Sequence, residues 1–225
     1  MSKTQESTTV QLKDDNFAQV SKFTRENQKS LLFIAAAIVA MILVYVLYQK
    51  LYLAPREIKA ADQMHVAQDF WAKKDWDKAI KGDAGYPGFE KIIADYSNTK
   101  SANLAYFYLG TAYLNKGDFR KAIDNLSNYR GEDSMVAAEA LGGIGDAYVE
   151  LKDLDKASTY FKKAADKAGN KFLSPFYLKK LGLVYEAQKN NKDAADTYKK
   201  IKSDYPESTE AQSIEAYIAR VSNKL

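Results

Sequence analysis

The feature that most limits how this chain can fold is a period. Gly110 and Ala122 are followed by Gly145 and Ala157 and then by Gly182 and Ala194, at spacings of 35 and 37 residues. Other positions keep step. Tyr106, Leu109 and Tyr113 become Leu141, Ile144 and Tyr148, then Leu178, Leu181 and Tyr185. Twelve to sixteen residues further on, Ala122 and Leu126 become Ala157 and Phe161, then Ala194 and Tyr198. Large residues on one side of a helix, with Gly or Ala where a second helix crosses closely, make a helical hairpin. The Gly117-Asp118 pair supplies a turn between the two helices, and Pro206 stands where the last hairpin must stop. A unit of this size cannot bury its own apolar face, so it stacks on its neighbours.

These residues resemble the tetratricopeptide repeat, a helix–turn–helix of about 34 residues. An unrelated helical bundle with chance periodicity is the alternative, and it is disfavoured because the copies agree in identity as well as in hydrophobicity. A degenerate first unit precedes them, with Ala67, Phe70 and Ala79 at the places of Gly110, Tyr113 and Ala122. It is longer by a run of turn formers, Gly82-Asp83-Ala84-Gly85-Tyr86-Pro87-Gly88, which breaks its second helix before Phe89. That run reads as a tolerated surface insertion, or as a bulge that offers Tyr86 to a partner. After the third full copy, residues 208–225 carry Ala211, Ile214, Tyr217, Ile218 and Val221 along one side, the make-up of a capping helix. The units therefore fall at about 60–100, 103–136, 138–171 and 175–207, with the cap at 208–225, in a repeat domain of 51–225.

Residues 31–48 (LLFIAAAIVAMILVYVLY) carry no charge. As a helix they reach about 27 Å, close to the hydrocarbon thickness of a bilayer. Tyr45, Tyr48 and Tyr52 crowd the far end, where an aromatic belt would sit. A cleaved signal peptide has a shorter apolar run and a small-residue cleavage site, and Gln49-Lys50-Leu51-Tyr52-Leu53-Ala54-Pro55 offers none. A retained transmembrane helix over 31–50 is expected. Ahead of it, residues 1–10 have the composition of a disordered arm. Phe17, Val20 and Phe23 then recur at a helical interval, so part of 1–30 is either an amphipathic surface helix or a solvated extension of the span. Lys22, Arg25 and Lys29 on the near flank balance Lys50, Arg56 and Lys59 on the far flank. The positive-inside rule therefore gives no orientation. A short arm ahead of a first span and a long domain after it favours a cytoplasmic N-terminus with the repeats outside.

Chemistry is scarce. There is no cysteine, and His65 is the single histidine, without companions at metal-ligand spacing. It reads as a surface or half-buried residue. The Gly142-Gly143-Ile144-Gly145 run falls inside a repeat helix and is no phosphate loop. An excess of four positive charges, spread along the chain, does not suggest nucleic acid. The chain reads as a non-enzyme with no cofactor, no metal and no small-molecule substrate. What a stack of hairpins offers instead is a concave face lined by the first helix of each unit. On the spacing, that face takes Phe107, Thr111, Leu114 and Asn115 from one unit, Asp146, Val149 and Glu150 from the next, and Lys179, Leu183 and Glu186 from the last. It lacks the Lys/Asn set with which some tetratricopeptide repeats clamp a C-terminal carboxylate. A segment with apolar and basic side chains suits it better, and a merely solvated inner face is the alternative.

The short arm, the early span, the four hairpins carrying Leu109-Gly110, Tyr113, Ala122 and their copies, and the cap together resemble the YfgM family of bacterial envelope proteins. The resemblance covers nearly the whole chain, chiefly in architecture. It implies an all-α protein in which an N-terminal transmembrane helix precedes a right-handed tetratricopeptide-repeat solenoid. It further implies a bacterial inner-membrane location with periplasmic repeats. The partners it implies are the SecYEG translocon and the membrane-anchored chaperone PpiD, in an accessory role in protein export. Two other readings stay open: a scaffold of another cell-envelope or secretion complex, and a cytoplasmic-facing adaptor if the orientation is reversed. The insertion at 82–88 has no place in the family pattern.

Overall fold

The computed structural model describes residues 22–224. The expected disordered arm and the apolar positions Phe17 and Val20 lie outside them. The chain divides into two units at the Pro55–Arg56 bond.

In the N-terminal unit, α1 (Gln28–Leu47) is long and apolar enough to cross a membrane, and no residue of it is buried in protein. A six-residue π-helical turn follows at Tyr48–Leu53. There the Tyr48 and Tyr52 rings stack at 5.3 Å, and Gln49 Nε2 donates to the Tyr45 hydroxyl at 3.0 Å. A cluster of amphipathic rings fits the height of a membrane–water boundary.

The second unit is all-helical in its described residues: α2 (Ala54–Ala72), α3 (Trp76–Lys81), α4 (Phe89–Tyr96), α5 (Lys100–Lys116), α6 (Phe119–Asn128), α7 (Ser134–Glu150), α8 (Leu154–Ala168), α9 (Leu173–Ala187), α10 (Asn191–Asp204) and, after a 3₁₀ turn at Ala211–Ser213, α11 (Ile214–Ser222). Helices α5/α6, α7/α8 and α9/α10 are successive hairpins, and each second helix also packs on the first helix of the next unit. The first helices α5, α7 and α9 touch one another directly, and no comparable contact joins α6 to α8 or α8 to α10 among the described residues. Helices on the inside of a bend lie closer than those outside, so the first helices form the inner face of the solenoid.

Each hairpin closes where a small residue meets a large one. A Cβ added to Gly110 would lie 2.6 Å from Leu126 Cγ, at Gly145 2.7 Å from Phe161 Cε1, and at Gly182 2.3 Å from Tyr198 Cε1. Leu126, Phe161 and Tyr198 are themselves buried, so they have no room to withdraw. Burying each such side chain stabilises by about 1.5–3 kcal/mol. The core is accordingly a chain of three clusters, each shared between neighbouring units, and α11 closes the last with Ile214 and Val221.

The turn inside each hairpin is also repeated. Gly117 has φ +81°, and the equivalent residues are Lys74, Lys152 and Lys189 at φ +61°, +63° and +61°. The following Asp75, Asp118, Asp153 and Asn190 each accept a hydrogen bond from the backbone N–H three residues on and so cap the second helix. In the first unit the second helix is split in two by residues 82–88. Gly82, at φ +84°, pairs with Pro87, and Asp83 Oδ1 accepts from the N–H groups of Gly85 and Tyr86 at 3.0 and 3.2 Å. A Cβ at Gly88 would sit 2.3 Å from the Gly82 nitrogen, so the insertion is a closed turn that only glycine allows. Tyr86 stands 54% exposed on it.

Two outcomes are expected in thermal or denaturant unfolding of the full chain in detergent. Gly182→Ala lowers stability by about 1–3 kcal/mol because the added methyl overpacks an immobile ring. Lys189→Gly, which relieves a left-handed backbone at a non-glycine residue, raises it by up to about 1 kcal/mol. A neutral Gly182→Ala variant would contradict the hairpin packing described here.

Candidate partner-binding face

The inner face is built by α5, α7 and α9, with α2 and α11 at its ends, and polar ties cross it from helix to helix. Trp71 Nε1 of α2 donates to Thr111 Oγ1 of α5 at 2.9 Å. Both oxygens of Asp146 on α7 accept from Lys180 Nζ of α9 at 2.8 Å. Glu186 of α9 takes a two-point bond from Arg220 of α11, at 2.6 and 3.0 Å, and a third from the Tyr198 hydroxyl at 2.7 Å. The first helix is seated by a carboxylate: Glu57 accepts from the Lys100 and Ser101 N–H groups at 2.6 and 3.1 Å and so caps α5 across the helix contact.

The residues chosen from spacing fall into different environments. Asn115, Glu150 and Leu183 are exposed on the inner helices, and Thr111, Leu114, Asp146, Lys179 and Glu186 are half-buried. Phe107 has to be corrected. It is only 8% exposed and belongs to a core cluster with Leu126, Ala140 and Ile144. Its ring also meets those of Tyr108 and Tyr129, at 5.5 and 6.0 Å between centres. Lys179 is drawn aside, with its ammonium 4.9 Å from the Tyr217 ring centre. The structure brings Asp146 together with Lys180 and Glu186 together with Arg220, and neither basic partner was among the spacing choices. Phe176, 40% exposed, was also missed, although it lies seven residues before Leu183 on the same side of α9.

The electrostatics follow from burial. Burial, and then the charges of Glu139 and Asp146, push the Tyr177 hydroxyl up; its ring lies over Gly142. For Glu186, burial alone would raise the carboxyl, but the bonds from Arg220 and Tyr198 outweigh it and hold it below the ordinary value. His65 is exposed, and among the described residues no three His, Cys, Asp or Glu side chains are placed to share a metal ion.

Glu186 therefore gives a pH prediction. Its folded carboxyl binds a proton less readily than the unfolded one, so its contribution is present above about pH 4.5 and lost as pH falls through the lower folded value. Glu186→Gln is expected to lower unfolding stability by about 1–2 kcal/mol at pH 7, with the gap closing toward pH 3. A gap that stayed constant over that range would show that the carboxylate's charge is not the source of the difference.

Residues 93–171 and 180–208 match family models described as the tetratricopeptide repeat. No curated protein sequence matches the chain. Among solved structures, a tetratricopeptide repeat protein from Parabacteroides merdae superposes at TM-score 0.59 and 16% identity over 73% of this chain, which spans 60% of that protein's length. The MamA protein superposes at TM-score 0.54 and 21% identity, covering 73% of this chain and 86% of its own. A Podosopora anserina protein of nearly identical TPR-like repeats does so at 0.55 and 14%, covering 72% and 84%. At such identities these likenesses carry the fold alone. With the family matches, they establish that the described hairpins form a tetratricopeptide-repeat solenoid, the kind of domain that mediates protein–protein interaction.

Proposed function

We propose that this chain is a membrane-anchored partner-binding protein that serves as an accessory to protein export. In this reading α1 is a retained single span of a bacterial inner membrane, the N-terminus is cytoplasmic, and the repeats lie in the periplasm. The partners are a SecYEG-like translocon and a PpiD-like membrane-anchored chaperone. The observation that carries the anchoring is the unbroken apolar helix α1, none of whose residues is buried in protein. The observation that carries binding is the inner face, where Asn115, Glu150 and Leu183 stay exposed beside tied neighbours. The export role and its partners rest on the architectural resemblance to the YfgM family. Scaffolding of another envelope or secretion complex is the alternative within the same topology.

The balanced charges at the two ends of α1 favour keeping a second topology in view. Lys22, Arg25 and Lys29 on one side face Lys50, Arg56 and Lys59 on the other, so charge sets no direction. A reversed chain would be a cytoplasmic adaptor.

Protease protection decides between them. Digestion of the repeat domain in spheroplasts but not in inverted inner-membrane vesicles is expected, followed by crosslinks from the full chain to translocon and chaperone subunits. Digestion only in inverted vesicles would overturn the export reading. Stoichiometric co-purification with a different complex would replace it with the scaffold.

A further inference from the structure

The inner face of the last hairpin, α9/α10, is uneven in a way that describes its occupant. Phe176 and Leu183 lie within about 20° of one another around α9, at 3.6 residues per turn, and Phe172 precedes its first turn, four residues before Phe176. The exposures of Phe172, Phe176 and Leu183 are 73%, 40% and 42%, so they form a largely open apolar ridge three turns long, on which the Lys180 ammonium lies 5.0 Å from the Phe176 ring centre. On the neighbouring α7, Glu139, Asp146 and Glu150 share one side by the same arithmetic. Asp146 is neutralised by Lys180, while Glu139 and Glu150 are exposed and make no ion pair or side-chain hydrogen bond among the described residues. Where the ridge reaches the rim, Phe172 stands at a cavity of about 430 Å³ whose walls include Tyr205, Glu207 and Glu210. Among the described residues the carboxylates of Glu207 and Glu210 have no ion pair or side-chain hydrogen bond either. The one basic residue there is Lys171, whose ammonium already lies 5.7 Å from the Phe172 ring centre, within the range at which a cation is held by a ring face.

We propose that this ridge docks a basic amphipathic segment of a partner polypeptide. Its apolar side chains lie on Phe172, Phe176 and Leu183, one flank of lysines or arginines faces Glu139, and a further basic residue enters the rim cavity beside Glu207 and Glu210. This deepens the reading that the inner face binds a partner and rests on it. The charge pattern selects the occupant. Lys180 is spent on Asp146 and the Lys179 ammonium lies on the Tyr217 ring, so the unpaired carboxylates, on α7 beside the strip and at its rim end, disfavour nucleic acid, anionic lipid and acidic peptides and attract cationic ones. An exposed aromatic at the strip's end gives the apolar side an anchor.

The test uses the full chain in nanodiscs of zwitterionic lipid and fluorescence anisotropy with two labelled amphipathic peptides. Both have the same leucine side, and the polar side carries arginine in one and glutamate in the other. Empty nanodiscs serve as the blank. The arginine peptide is expected to bind at least about tenfold more tightly than the glutamate peptide. The triple variant Glu139→Lys, Glu207→Lys, Glu210→Lys is expected to reverse that order, and Phe172→Ser with Phe176→Ser to abolish binding of both. All of these side chains but the half-buried Glu210 are exposed, and unchanged melting temperatures verify that the variants stay folded. Equal binding of the two peptides, or arginine-peptide binding that survives the serine variants, overturns the proposal. If the proposal falls while the unaltered chain still crosslinks to envelope partners, partner binding stands and only its chemistry is wrong. If those crosslinks are absent too, the broader reading falls with it.

Discussion

A glycine on one helix lying against a large, immobile side chain on the next is the contact from which the rest of this solenoid follows. At Gly110, Gly145 and Gly182 the backbones of a hairpin approach until Leu126, Phe161 or Tyr198 fills the space a methyl would need. That approach sets the crossing of the two helices, and the crossing sets where the next hairpin can sit. Because each cluster of buried residues is shared between neighbours, the array is stable only as a stack, and α11 is needed to close its end.

Over this apolar frame lies a set of polar ties whose geometry fixes the register of the inner face. Trp71 to Thr111, Lys180 to Asp146 and Arg220 to Glu186 each join a first helix to its neighbour. A partly exposed ion pair such as Lys180–Asp146 contributes little to stability, about 0–1 kcal/mol. Glu186 is different, since its side chain is only 14% exposed and takes three hydrogen bonds. The effect of the ties on function is subtractive. They occupy some of the charges on the face and leave Glu139, Glu150 and the rim carboxylates without ion pairs among the described residues, beside the exposed α9 ridge.

The solenoid was legible because its signal repeats: one Gly or one aromatic residue means little, but the same pair at three successive periods means a hairpin. The split second helix of the first unit was legible from its glycines. What spacing cannot see is the size of the residue on the facing helix. Phe107, Gly142 and Lys179 occupy one register in three units, yet the first is core, the second receives the Tyr177 ring and the third reaches toward Tyr217. Glu57 capping a helix that begins 43 residues later is a tertiary contact with no local signature. The left-handed turns at Lys74, Lys152 and Lys189 were hidden because lysine does not advertise that conformation as Gly117 does. The ridge of Phe172, Phe176 and Leu183 did have a signal, a helical interval of apolar residues, but only burial separates such a stripe from a core stripe.

The central functional claim is that partners are held by the inner helices of an anchored solenoid. Site-specific photocrosslinking in native membranes addresses it most directly, with a photoreactive residue placed in the full chain at Asn115, Glu150 or Leu183 on the inner helices and at Arg120, Lys162 or Lys199 on the outer ones. Discrete adducts to the same partner from the inner positions, and none from the outer, are the expected result. Adducts confined to the outer positions would contradict it and place the binding surface on the second helices.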